Sequence, residues 1–288
     1  MSAAPLITGV SAIADQYDTF ILDIFGVIHN GLRPFPGTVQ CLEEMQRAGK
    51  QVCLLSNSPR RAHSAVNQCV QMGIPKELLG HAVTSGEATY HALEEHMREY
   101  GRRCYFLGAE FVRHLIDGVD IVATENIDGA DFILNAIPGT GKSAKEKIVR
   151  DFDTAIARNL PMICANPDLV VNIGDVQEEC AGTFALMYEQ RGGHVTYYGK
   201  PYAPVYETAR EKLGMPPKSR ICAIGDSLHT DIQGANGFGI DSIFNLVGIH
   251  WEEVRLDHTP GKADSDKIRI MIDAQPHRPT YVMGGFEW

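Results

Sequence analysis

Positive charge is in short supply in this chain: 26 Lys and Arg stand against 36 Asp and Glu, a formal net charge of −10. A nucleic-acid surface needs a basic patch, and this balance argues against one. It also means that any phosphate site has to be built locally, from a few cations and a metal. No apolar run is long enough to span a bilayer, and the opening MSAAPLITGV lacks the basic and apolar regions of a secretory signal. No C-x-x-C pair occurs either. The seven cysteines (41, 53, 69, 104, 164, 180 and 222) are scattered singly, several inside apolar runs such as VCLL and ICAIG. This pattern predicts buried free thiols and a reducing compartment. Together these absences predict a cytoplasmic protein with no membrane and no nucleic-acid partner. Internal repeats and low-complexity tracts are missing as well.

What is present is ordinary globular material: 288 residues, 44% hydrophobic and 22% charged, enough for one large or two medium domains. Apolar strand-like runs alternate with segments of helical spacing. TFILD is followed by a helix around Val39, Leu42 and Met45, then by the run QVCLLSNS and a helix over 60–72. Further on come helix 142–159, strand PMICA, helix AGTFALMYEQRGG, strand HVTYYGKP, helix 203–213 and strand RICAIGD. The loop SLHTD, a helix DIQGANGFG and strands DSIFN and PTYVM complete the chain. Such alternation predicts an α/β fold: a Rossmann-like, doubly wound parallel sheet. The stretch 88–195 has its own β/α pattern. It is expected to be an inserted α/β cap between core segments 1–87 and 196–288, since insertion at a surface loop costs little. The aromatic tail PTYVMGGFEW is expected to pack on the core, and a homodimer is also compatible with it.

Polar residues recur where the apolar runs stop: Asp23, then Ser56 and Asn57, then Lys200, then Asp226 and Asp231. Strand ends of an open α/β sheet are where such folds bind ligands. Singly each residue has a plain structural reading; Ser56-Asn57-Ser58 also suits a helix N-cap. As a set they suit phosphoryl transfer, with a carboxylate nucleophile, hydroxyl and amide donors for phosphate oxygens, one cation, and acids for Mg²⁺.

These motifs resemble the haloacid dehalogenase superfamily, most closely its class IIA branch of sugar-phosphate, nitrophenyl-phosphate and pyridoxal-phosphate phosphatases. DIFGVIHNG, LLSNS, YGKP and IGDSLHTDIQGANGFG match the four core motifs in order, and TSGEAT, FLGAE, ANPD and AGTFALMYEQRGG resemble its cap. The resemblance implies that Asp23 attacks phosphorus and that Ser56, Asn57 and Lys200 hold the phosphate. Mg²⁺ would be bound by Asp23, Asp226 and the main-chain oxygen of Phe25, with Asp231 supporting its waters. Asn166 and Asp168 are the cap residues expected nearest a small phosphorylated substrate; Asn-Pro turn chemistry is their structural alternative.

One position departs from the pattern. The family's phosphatases normally carry a second Asp two residues after the nucleophile, as general acid and base, and here that residue is Phe25. His29 is the nearby candidate for a replacement proton donor, a solvent-facing flap residue being its other reading. The loss leaves a second function open: a protein that binds a phosphorylated ligand with weak or no hydrolysis. A third reading takes AIPGTGKS, Ala136–Ser143, as a P-loop with Asp226 as its metal-binding acid, although Ala136 stands where the first glycine belongs.

Overall fold

A computed structural model of the chain describes residues 4–139, 141–256 and 262–288. In chain order the strands are β1 (Leu6–Ile7), β2 (Thr19–Leu22), β3 (Gln51–Ser56), β4 (His81–Thr84), β5 (Arg103–Leu107), β6 (Val122–Thr124) and β7 (Phe132–Asn135). They continue as β8 (Met162–Cys164), β9 (Val170–Ile173), β10 (Val176–Glu179), β11 (Val195–Tyr197), β12 (Ile221–Gly225), β13 (Asp241–Asn245) and β14 (Tyr281–Met283).

Two parallel sheets result. The first runs β1-β14-β13-β12-β2-β3-β4 and the second β11-β8-β7-β5-β6; β9 and β10 form a separate antiparallel hairpin. The fold is therefore α/β, with a parallel core sheet and a second parallel sheet, as the alternation predicts. The chain between β4 and β12 builds the whole second sheet. Its last strand, β11, pairs with β8 through Tyr197, so the return to the core falls between Tyr197 and Lys200.

Strand pleating explains why both sheets are apolar on each face. Phe20, Leu22, Leu54 and Ile224 point into one cluster of the core sheet, while Ile21, Cys53, Leu55 and Ala223 point into another. The second sheet repeats the arrangement, with Tyr105, Ile133 and Met162 on one side and Cys104, Phe132 and Ile163 on the other. All seven cysteines are free and buried, as their apolar settings predict. The tail also packs as expected: β14 joins β13, Phe286 lies in the main cluster, and the half-buried Trp288 packs against it. No helix among the described residues is long and apolar enough to cross a membrane.

Helix Ala62–Gln71 has no side-chain cap of its own. Glu87, from helix Ser85–Tyr100, supplies one, accepting from the Ala62 amide at 2.9 Å and from Arg61 Nε and Nη2 at 2.9 Å each. The Arg61 hydrogen bonds hold the Glu87 carboxyl down from 4.5 to about 2. A depressed carboxylate stabilises the fold fully above its unfolded pKa and progressively less as pH falls through the folded value. Glu87→Gln is therefore expected to lower Tm at pH 7, with the gap to wild type narrowing between pH 4.5 and 2. Thermal melts across that range check it, and a gap that stays constant would reject the assignment.

Candidate active site

In the core sheet β2 lies between β12 and β3. The chain leaves β2 toward β3 on one side and β12 toward β13 on the other, so the crevice between β2 and β12 is a topological switch point. Asp23 follows β2, Asp226 follows β12, and Ser56 is the last residue of β3. Parallel register brings their carboxyl ends to one edge, with Leu22 opposite both Ile224 and Leu54.

The SLHTD segment is not a simple loop. Leu228–Ile232 forms one π-helical turn, started by Ser227, whose Oγ accepts from the Thr230 amide at 3.3 Å; the Ile232 amide reaches back to Ser227 O at 3.1 Å. This wide turn carries the Asp231 carboxylate back to the strand end, where Oδ2 accepts from the Ser227 amide at 3.2 Å. Lys200 Nζ then lies 2.5 Å from Asp23 Oδ1 and 2.7 Å from Asp231 Oδ1, all three being buried.

Carboxylate oxygens of Asp23, Asp226 and Asp231 lie within 4.8 Å of one another. Burial pushes the Asp23 and Asp226 carboxyls upward in pKa, and their neighbouring acids add to the effect; Lys200 opposes it. One ammonium thus faces more carboxylate charge than it can neutralise. Such a set of oxygen donors suits a divalent cation such as Mg²⁺, which prefers carboxylates plus retained waters. Space around Asp226 is correspondingly tight. A Cβ on Gly26, whose φ is +84°, would sit 1.9 Å from Asp226 Oδ2, and one on Gly248 would sit 2.0 Å from it. The Ile249 amide donates to that same oxygen at 2.8 Å, and Asn245 Nδ2 holds Gly26 O at 2.7 Å.

Asn57 acts as a tie rather than an open ligand. Its Oδ1 accepts from the Lys200 amide at 2.7 Å and from Ser85 Oγ at 3.1 Å; its Nδ2 donates to Lys200 O at 3.0 Å and Asp168 Oδ1 at 2.8 Å. Its side chain is thus committed within the protein. Ser56 Oγ accepts from the Ser58 amide at 3.2 Å and lines the cavity.

The cavity has a volume of about 770 Å³, and Asp23, Ser56, Lys200, Asp226 and Asp231 all form part of its wall. Asp168 lines it too, its carboxyl pushed up by burial. Asn166 does not reach the wall; its Oδ1 accepts from the Asp168 amide at 3.1 Å, the turn role of an Asn-Pro loop. His29 corrects both sequence expectations. It is fully buried, behind the cavity wall, with its ring edge-on to Phe25 at 4.5 Å between centroids. Nδ1 accepts from the Gly31 amide at 3.0 Å, and burial pushes its pKa down to about 4. It is neither a flap residue facing solvent nor placed to hand a proton to a ligand. Phe25 itself is half-buried and lines the cavity.

Sequence reasoning missed the β9–β10 hairpin. Its tip forms part of the cavity wall, with Asn172 Nδ2 donating to Gly248 O at 3.2 Å and the Gly174 amide to Asn30 O at 2.9 Å. The two-residue Gly174-Asp175 turn between β-branched runs was the signal available for it. The AIPGTGKS segment joins β7 to helix Lys142–Ala157 in the second sheet, whereas Asp226 belongs to the core-sheet cluster. Thr140 and the side chain of Lys142 lie outside the described residues. The segment and Asp226 thus belong to different sheets, although Ile137 lines the same cavity as Asp226.

A core sheet with a buried Asp–Asp–Asp–Lys cluster at its switch point, covered from a second inserted sheet, defines a capped α/β hydrolase architecture. Residues 20–122 match the family described as haloacid dehalogenase-like hydrolase, and residues 197–283 match a second, HAD-hydrolase-like description. A solved haloacid dehalogenase-like hydrolase from Brucella suis is 30% identical, covering 97% of this chain and 99% of that one with a TM-score of 0.81. The chain belongs to the haloacid dehalogenase-like hydrolase family, in its class IIA, NagD and p-nitrophenylphosphatase-like branch. Escherichia coli NagD, a ribonucleotide monophosphatase, is 24% identical over 265 residues, 91% of this chain and 94% of its own. Glycerol phosphate phosphatase from Mycobacterium tuberculosis, solved in complex with magnesium, shares the fold. It is 22% identical with a TM-score of 0.68, covering 96% of this chain and 76% of that one.

Proposed function

We propose that this protein is a Mg²⁺-dependent phosphatase of small phosphorylated metabolites, acting through a phospho-intermediate on Asp23. The observation that carries the reading is the Lys200 ammonium set between Asp23 and Asp231 at the rim of a metal-competent carboxylate cluster. An Asp23 carboxylate oxygen forms a bond to phosphorus as the ester P–O bond breaks, and the leaving alkoxide departs with the bonding pair. Water then attacks phosphorus and the Asp23–phosphorus bond breaks; one proton of the water stays on the inorganic phosphate, the other goes through solvent to the alkoxide, and the free carboxylate is restored. Lys200 orients Asp23 and offsets charge on the transferring group, while Ser56 Oγ and the Asn57 amide hold phosphate oxygens. Asp23, Asp226 and the Phe25 main-chain oxygen would hold the metal, with Asp231 supporting it. When bound, the cation supplies charge neutralisation at the phosphoryl oxygens. Residues 88–195 serve as the cap in this reading, and Asp168, tied to Asn57, lies on the substrate side.

Phe25 gives the reading its particular character: no side chain at that position can protonate the leaving group. The enzyme is therefore expected to favour phosphates with acidic leaving groups, such as acyl and aryl phosphates, over simple alkyl phosphates. A panel of phosphate monoesters spanning leaving-group acidity, assayed with Mg²⁺ and with excess chelator, tests this. Turnover that needs the metal and rises steeply with leaving-group acidity is the expected result. Metal-independent turnover would reject the mechanism, and metal-dependent phosphate binding without turnover would favour the binding-protein reading that Phe25 also suggests.

A further inference from the structure

Two cavity-lining residues carry a permanent positive charge, Lys200 and Arg60. Lys200 is already paired with Asp23 and Asp231. The Arg60 guanidinium, among the described residues, has no hydrogen bond and no ion pair; it lies over the ring of Phe111, from the second sheet's segment, at 4.2 Å from the centroid. Its surroundings do not offset its burial, which pushes the guanidinium pKa down with no carboxylate working against it. In a chain of net charge −10 an arginine left without an anion is conspicuous. Asp175 and Glu252 also line the cavity, yet neither pairs with it.

The backbone beneath Arg60 is fixed. Its amide donates to Ser58 Oγ at 3.3 Å and its carbonyl accepts from Thr84 Oγ1 at 2.6 Å. Gly86 packs so closely there that a Cβ would meet Pro59 O at 2.2 Å and Arg60 O at 2.5 Å. Arg60 follows Ser56 by four residues, which limits their Cα separation to about 14 Å. Ser56 and Arg60 line the same cavity, so one ligand held there faces both. A planar, pre-oriented guanidinium recognises carboxylate or phosphate oxygens through two parallel N–H donors. The Phe111 ring packs against the guanidinium carbon, and among the described residues no acceptor takes its N–H donors.

We infer that Arg60, seated on Phe111, is a specificity residue that reads a second anionic group on the substrate, so that the preferred ligands are small phosphate monoesters bearing a carboxylate or a further phosphate. This rests on the phosphatase reading for the position of the first phosphate, and binding measurements separate the two. 3-Phosphonopropionate and propylphosphonate carry the same non-hydrolysable phosphonate with a charged or a neutral tail, and ethylene-bisphosphonate replaces the carboxylate by a second phosphonate. Titration calorimetry with Mg²⁺ is expected to show one or both charged-tail ligands binding at least tenfold tighter than propylphosphonate. In Arg60→Gln that ratio is expected to collapse toward one, and in Phe111→Ala to fall part of the way. The rank of the two charged ligands tells carboxylate from phosphate. A ratio near one in wild type, or one unchanged in Arg60→Gln, overturns the inference. Preserved discrimination without turnover of the corresponding esters overturns only the hydrolase reading, and failure of all three phosphonates to bind overturns both.

Discussion

Asp23→Asn is expected to lower kcat by a factor on the order of 10⁵–10⁶, the scale on which removal of a nucleophile acts when the rest of a site is intact. The substitution is nearly isosteric, and Lys200 keeps Asp231 at 2.7 Å, so the fold around the site has no reason to change. Stability should move the other way. Burial raises the Asp23 pKa in the folded protein. A raised carboxyl contributes stability that is present below its unfolded pKa and lost as pH rises. In metal-free protein at pH 7 folding therefore has to load a proton onto Asp23, which is a cost, and the neutral amide should raise Tm. A variant both dead and more stable is what a functional, strained carboxylate predicts. Single-turnover assays and melts in chelator check the pair. Residual turnover near wild type would remove Asp23 from the nucleophile role, and a drop in Tm would mean its charge is fully compensated by Lys200.

Phe25→Asp is expected to raise turnover of alkyl phosphates by roughly 10²–10⁴-fold, the usual contribution of a positioned general acid. The side chain already lines the cavity, so an acid there meets the leaving group without rearrangement of the chain. The gain should shrink as the leaving group becomes more acidic and should be slight for aryl and acyl phosphates. Plots of log kcat/KM against leaving-group pKa therefore flatten in the variant. Phe25→Leu serves as the control for packing against His29, whose ring touches Phe25. Equal rates for Phe25→Asp and wild type on alkyl esters would show that another group already supplies the proton.

The parts of the site that were legible in the sequence are those where an apolar strand stops at a polar residue. Asp23, Ser56 and Asp226 could be read this way because burial on both faces makes parallel strands continuous apolar runs. Lys200 was legible through the GKP that follows β11. The hairpin at β9 and β10 was not, because VVNI and VQEE are short, half-exposed strands without a continuous apolar run. The π-helical turn was hidden for a different reason. Its extra residue per turn is set by the Ser227 cap and by the pull of Lys200 on Asp231, a long-range contact across 31 residues. His29 misled because a histidine beside a nucleophile suggests chemistry, whereas its ring is sealed into the main cluster and kept neutral. Arg60 passed as the start of a helix, since nothing in SNSPRR tells a paired arginine from an unpaired one.

The hairpin tip meets the core through two hydrogen bonds, the Gly174 amide on Asn30 O and the Asn172 side-chain amide on Gly248 O. These bonds constrain where the tip sits and fix Asn172, but neither uses the side chain at 173 or 175. The wall it contributes can therefore be rewritten, residue by residue at 173 and 175, without disturbing the carboxylate cluster on the other sheet. Selection acting on such a protein could change what enters the crevice while leaving untouched what happens to the phosphate there.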